Sequence, residues 1–292
     1  TLDEIRDTLG EDSDFFEAAY GVSVQGNWEG KTVLQRHLDD SSLAARFKLD
    51  LQSVPDKLSE CHSKLSTARS ARIRPGTDDK VLTSWNGLML ATLAETARVF
   101  EEFQFHDKYT NLAIRNAEFL LSALRPDGKL RHSWRDGKTT NEVFLEDYAA
   151  LILGLLELYQ TDFNNKWFAS ARELADEMIG LFEDPAGGFF DTSKDGEKLL
   201  LRPKDVQDNA TPSGNALACE ALLKLAAFTD EGKYRDRAEK SLGLVTGMTV
   251  RYPTAFGRWL SAADFALGNV KQVAVVSEAG ADDALELIRV VR

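Results

Sequence analysis

The chain predicts an all-α fold, an α/α toroid, on three observations. Three polar clusters, Asp78-Asp79-Lys80 with Ser84-Trp85-Asn86, Glu146-Asp147-Tyr148, and Asp208 with Ser213-Gly214-Asn215, are each followed by a helix-length apolar run. Asn86 to Tyr148 is 62 positions and Tyr148 to Asn215 is 67, the length of two helices with their connections, so each cluster marks the same place in a repeated unit. Helices of two kinds also take turns, and short links alternate with long ones.

The first 80 residues are the least regular. Asp39 to Leu51 and Pro55 to Ser70 read as a helical pair. They follow an irregular stretch with Tyr20-Gly21-Val22 and Gly26-Asn27-Trp28-Glu29-Gly30, where two glycines around Asn-Trp-Glu indicate a turn with a special backbone.

From Ser84 the alternation begins. Leu88 to Ala94, Ala149 to Leu156 and Ala216 to Leu225 are apolar all round and rich in small residues, the mark of helices buried on every side. Trp167, Ala171, Leu174, Ala175, Met178, Leu181 and Phe182 form one stripe with charges opposite, as expected of a helix with one wet face. Stripes from Tyr109 to Leu124 and from Tyr234 to Met248 repeat it. Buried and half-buried helices in alternation describe two concentric layers.

Inner-to-outer links are short (Gln104 to Lys108, Gln160 to Lys166, Thr229 to Lys233), whereas outer-to-inner links are long. The long ones hold Asp127 to Trp134 and Gly187 to Thr192, which read as turns with brief extended pieces. In a stack of antiparallel hairpins, long links and inner-helix N-termini share one end, so the polar clusters and decorated loops are expected at one mouth. Ala255 to Leu267 reads as a further inner helix, and Gln272 to Val276 as a buried strand. The resulting division is 1–270 for the toroid and 271–292 for the start of a C-terminal segment with one strand. About four inner and four outer helices fall short of the roughly five to seven pairs of a closed ring, so an incomplete ring is expected.

Composition narrows the functional classes. The 292 residues are 43% hydrophobic, enough for a large core. With 35 Lys+Arg against 47 Asp+Glu the net charge is −12, which lacks the footprint of a nucleic-acid binder. No apolar run approaches the roughly 20 residues of a membrane span, and Thr1-Leu2-Asp3-Glu4 opens without signal-peptide character. A soluble, cytoplasmic protein with neither membrane nor nucleic-acid partner is the expectation. Cys61 and Cys219 form no CxxC pair; Cys219 sits in an apolar helix as a core thiol, and Cys61-His62 lies on a polar stretch with no assigned role.

The motifs Tyr20-Gly21-Val22 with Gly26 to Gly30, Arg74-Pro75 with Asp78 to Lys80 and Trp85-Asn86-Gly87, Glu146 to Ala149, and Arg202-Pro203-Lys204 with Asp208 and Pro212 to Asn215 occur in order across nearly the whole chain. Together they resemble the thioredoxin-domain-containing family of the spermatogenesis-associated and bacterial YyaL-like proteins. That resemblance implies a six-hairpin glycosidase-like toroid, related in shape to N-acylglucosamine 2-epimerases and several glycoside hydrolases. It also implies a thioredoxin-like domain, absent from this chain, as a partner. The family carries no settled activity, so whether the chain is an enzyme stays open at this stage.

Two functional readings follow. In the first the domain is carbohydrate-active, a glycoside hydrolase or sugar isomerase, with Asp79, Asp147 and Asp208 as catalytic carboxylates around a small, sugar-like ligand. Trp85, Trp134 and Tyr148 offer aromatic faces, Asn86, Glu146, Ser213 and Asn215 hydrogen bonds, and Arg202 a planar fork for an anion. In the second the domain is a non-catalytic module that binds a ligand or the redox domain. Helix capping competes for the same carboxylates, because Ser84, Asp147, Thr211 and Ser213 stand where N-caps belong, and Lys80 reads first as an ion-pair partner of its neighbouring acids. Only four histidines are present, and of these His132 lies on a loop reaching the mouth, which weighs against epimerase chemistry built on paired histidines. No His or Cys cluster has metal-ligand spacing, and no cofactor is expected.

Overall fold

The computed structural model describes residues 1–100, 105–276, 286–288 and 290. The chain forms two compact units, Thr1–Asp78 and Asp79–Arg292.

In the first unit, α1 (Leu2–Leu9) starts with a capping box, in which Thr1 caps the helix and Glu4 bonds back to it. A short 3-10 turn leads into α2 (Ser13–Tyr20), closed by Gly21 in the left-handed region. These two helices fall in the stretch that reads as irregular, where Gly10 and the 3-10 turn break the helical pattern after Leu9. The expected turn is present: Glu29 and Gly30 take positive φ, and the Asn27 side chain bonds both the N–H and the C=O of Val33. The expected helical pair is α3 (Asp40–Phe47), capped by Asp39, and α4 (Val54–Ser70), with Pro55 in its first turn. Phe15, Phe16, Leu43, Val54, Leu58 and Cys61 form the core of this unit. Cys61 is thus a packed core thiol and not part of a polar surface.

The second unit carries the predicted alternation. Inner helices α5 (Thr83–Val99), α7 (Leu145–Asp162), α9 (Gly214–Thr229) and α11 (Gly257–Leu267) pack side by side in that order. Outer helices α6 (His106–Ala123), α8 (Asn165–Phe182) and α10 (Gly232–Arg251) back them, α6 against α5, α8 against α7 and α10 against α9. The result is an open arc of the α/α toroid type. Helices α7 and α9 are buried on nearly every side, as their composition requires. Helix α5 departs from that expectation, because Trp85, Met89 and Val99 lie exposed along one face.

The α7 to α8 and α9 to α10 links are short, as expected, and the start of the α5 to α6 link at Gln104 lies outside the described residues. The long links carry the extended pieces: β1 (Val81–Leu82), β2 (Ser133–Arg135) and β3 (Lys138–Thr139) make an antiparallel sheet in that order. Asp136 and Gly137, both at positive φ, turn the β2–β3 hairpin. Residues 272–276 belong to no strand, and Val273 and Val276 are exposed. A valine-rich pattern becomes a strand only where an edge is open to pair with it, and the three described strands lie together at the inner-helix N-termini. Most of 271–292 lies outside the described residues.

Candidate functional site

The inner-helix N-termini are tied laterally by carboxylates. Asp147, in the first turn of α7 and 0% exposed, accepts the Ser84 N–H of α5 at 3.1 Å and the Phe144 N–H at 3.0 Å. Asp208 accepts the N–H of Ser213 at 2.9 Å, at the start of α9, and of Arg258 at 2.8 Å, at the start of α11. Each carboxylate therefore satisfies orphan donors on two neighbouring helices.

This rim opens into a cleft of about 500 Å³ lined by His132, Glu146, Asp191, Asp205, Gln207 and Ser213, among others. His132, just before β2, turns Nδ1 to within 3.0 Å of Asp147 Oδ2, and its ring meets Phe144 edge-on at 4.9 Å. Glu146 is half-buried, with Ser84 Oγ 3.4 Å from its carboxylate. Asp191 reaches the cleft from the α8 to α9 link and accepts the Asp205 N–H at 2.8 Å.

The electrostatics are set by burial. Loss of water pushes the carboxyls of Glu146 and Asp191 above the usual range; the Asp147 charge adds to the first and that of Asp205 to the second. The hydrogen bond between Nδ1 and the Asp147 carboxyl holds His132 above its ordinary value, against the opposing effect of burial. Ligand atoms of His132, Glu146 and Asp147 all lie within 4.8 Å of one another, a grouping able to reach a metal ion. Against a cation stand the positive end of α7 and the two N–H donors already on Asp147.

The remaining candidates from the sequence have other surroundings. Asp79 is exposed and pairs with Arg135 at 2.7 Å. Trp85 is 61% exposed, and Trp134 stacks edge-on with Phe119 at 5.4 Å; neither lines the cleft. Tyr148 is 2% exposed, bonded to Glu177 and packed on Phe182, so its ring has no face left for a ligand. Its place at the rim followed from sequence adjacency to Asp147, but one residue along a helix turns a side chain about 100°. Asn86 bonds the Leu82 C=O at 2.9 Å. Arg202 lies over the Phe190 ring at 4.2 Å and donates through Nη2 to the carbonyls of Thr192 and Leu181, and it does not line the cleft. Asn215 is buried, accepts the Phe189 N–H and donates to the Phe189 and Asp205 carbonyls. Of the predicted site residues, Glu146 and Ser213 line the cleft, and Asp147 supports His132 from behind it.

Sequence reasoning missed Asp191 and passed over His132. His132 lies 15 residues before Asp147 and outside any ligand spacing; the signal available was its place on a long link to an inner helix.

No family model matches the chain. Spermatogenesis-associated protein 20 of Homo sapiens is 31% identical over 287 residues, covering 91% of this chain and 35% of that protein. The chain spans about a third of the length of the curated relatives it matches. Among solved structures, the GH76 α-mannanase of Bacteroides thetaiotaomicron aligns over 91% of this chain and 78% of its own at 13% identity and a TM-score of 0.48. Cellobiose 2-epimerase of Spirochaeta thermophila aligns over 57% and 43% at 18% identity and a TM-score of 0.46.

Proposed function

On the premise that this chain is a homologue, over most of its length, of spermatogenesis-associated protein 20, we propose that the arc is a carbohydrate-active domain whose reaction takes place in the cleft at the inner-helix N-termini. The observation that carries this reading is the pair of cleft carboxyls, Glu146 and Asp191, both pushed towards the protonated form by burial, beside an imidazole oriented by a buried carboxylate. Carboxyls held towards the protonated form beside an oriented imidazole are what general acid–base chemistry needs. Around them Ser213, Thr211, Asn209 and Gln207 present hydroxyls and amides to the cleft, a lining suited to a small polyhydroxylated molecule.

Glu146→Gln and Asp191→Asn are expected to abolish turnover and to raise the melting temperature at neutral pH, because each removes a carboxyl whose ionised form is poorly solvated. The sign follows from the raised values. The stabilising contribution of each group is complete below the ordinary carboxyl value and is lost as pH rises through the folded one, and the variants lack that loss. Titration calorimetry with mono- and oligosaccharides, alongside melts at acid and neutral pH, tests both; no heat with any sugar would remove the reading.

A second reading is favoured by the saturation of Asp147 and Asp208, whose oxygens are taken by N–H donors. In it the rim is scaffolding and the arc binds a ligand or a partner domain without turnover. Binding without turnover, unaffected by Glu146→Gln, would select it.

A further inference from the structure

The geometry points to His132 as the proton acceptor of the cleft, positioned by Asp147, for a substrate with a C–H beside a carbonyl, the chemistry of a reducing sugar. This rests on the carbohydrate reading above and selects between its two reaction classes.

The ring is fixed from several sides. Its backbone N–H bonds Glu142 and its C=O accepts from Thr83, at 2.8 and 2.9 Å, while the ring edge rests on Phe144. Asp147 is fully buried, and its other contacts, with Ser84 and Phe144, come from N–H groups. Burial pushes the Asp147 carboxyl up, and the imidazole and the two backbone N–H groups oppose it. Because each oxygen already accepts an N–H, the carboxyl acts as the acceptor towards the ring, which puts the proton on Nδ1 and leaves the Nε2 lone pair as what the ring offers. Among the described residues Nε2 has no hydrogen-bond partner, and the ring lines the cleft. The same bond that orients the ring raises the imidazole above its ordinary value.

The acid stands on the same wall. A Glu146 oxygen lies within 4.8 Å of a ring nitrogen of His132, and burial favours its protonated form. Glycosidases set their two carboxyls on either side of the scissile bond, roughly 5–5.5 Å apart in retaining enzymes and about 6.5–9.5 Å apart in inverting ones. An acid and a base side by side suit neighbouring atoms of one substrate instead. His132 Nε2 takes the proton from the carbon next to the carbonyl, and that C–H electron pair forms a C=C bond. The carbonyl π pair moves to oxygen, which takes the Glu146 proton. When His132 returns its proton to the former carbonyl carbon, the hydroxyl on the neighbouring carbon gives its proton to the Glu146 carboxylate and its O–H pair becomes the new C=O, which regenerates neutral His132 and protonated Glu146. The sum is an isomerisation with no co-reactant.

Two measurements on the full chain test this. Nitrogen-15 NMR of the four histidines, with His132→Asn to assign the signal, should report Nδ1–H for neutral His132. In Asp147→Asn the amide can donate to Nδ1, and the tautomer should switch to Nε2–H, an effect that a purely structural role for Asp147 would not produce. A wild-type Nε2–H tautomer overturns the proposal, whether or not the variant folds. In D2O, reducing aldohexoses and ketohexoses should gain deuterium at the carbon next to the carbonyl. The rate should fall about 100-fold or more in His132→Asn and roughly 10-fold in Asp147→Asn. Sugar binding without exchange, or exchange unchanged in His132→Asn, overturns this inference alone. Absence of any sugar binding overturns the carbohydrate reading and the inference with it.

Discussion

At the residue scale, three aspartates that look alike in the sequence have different work. Asp208 uses both oxygens on backbone N–H groups of two helices, so Asp208→Asn turns an amide NH2 towards a donor. The expected cost is about 1–3 kcal/mol, seen as a lower denaturation midpoint with sugar binding unchanged. Loss of binding with no loss of stability would instead give Asp208 a place in the site. Asp79 is solvated beside Arg135 and Asp147 is fully buried, a difference of burial that their shared position before inner helices does not encode. Their capping character was legible, since acids before helices follow from local backbone needs. The partnership of Asp147 with His132 was not, because it depends on how a long link folds back.

At the element scale, the close crossing of α5 and α7 depends on glycine. A Cβ on Gly87 would stand 2.6 Å from the Ala150 carbonyl carbon, and one on Gly154 would stand 2.7 Å from the Gly87 carbonyl oxygen. Gly154→Ala must push the two backbones apart, at a cost of roughly 1–3 kcal/mol or more; chemical denaturation measures it, and a neutral result would mean the helices can separate freely. Towards the C-terminal ends of the inner helices Glu157 of α7 bridges Arg98 of α5 and Lys224 of α9, the latter at 2.6 Å. Burial pushes its carboxyl up, but the two cations outweigh burial and hold it below the usual range. Its stabilising contribution is therefore present above the ordinary carboxyl value and lost as pH falls through the depressed one. Glu157→Gln should cost roughly 1–3 kcal/mol by leaving Arg98 without its carboxylate, while Lys224 keeps Glu220 at 3.2 Å, and should flatten the acid limb of a stability–pH curve. The stripes that separated inner from outer helices were readable over four or five turns, whereas the helical pattern of α1 and α2 is broken between them by Gly10 and the 3-10 turn.

At the scale of the whole molecule, the chain forms two units with separate cores, and residues 71–78 between α4 and β1 are exposed and outside helix or strand. Limited trypsin digestion should cut at Arg72 or Lys80, and the fragment reaching from there into the second unit should melt in one cooperative step. Faster cleavage inside α7 or α9 would contradict the division. No described helix is long and apolar enough to cross a membrane. What the sequence determined by itself was the helical class, the alternation of layers and the end of the arc where polar groups gather, because periodicity and capping act over a few residues. Only the tertiary structure decided which of those groups face a cleft. His132, Glu146 and Asp191 meet there because two long links return to the N-terminus of α7, and that return moves their protonation, through the hydrogen bond to Asp147 at His132 and through burial at Glu146 and Asp191.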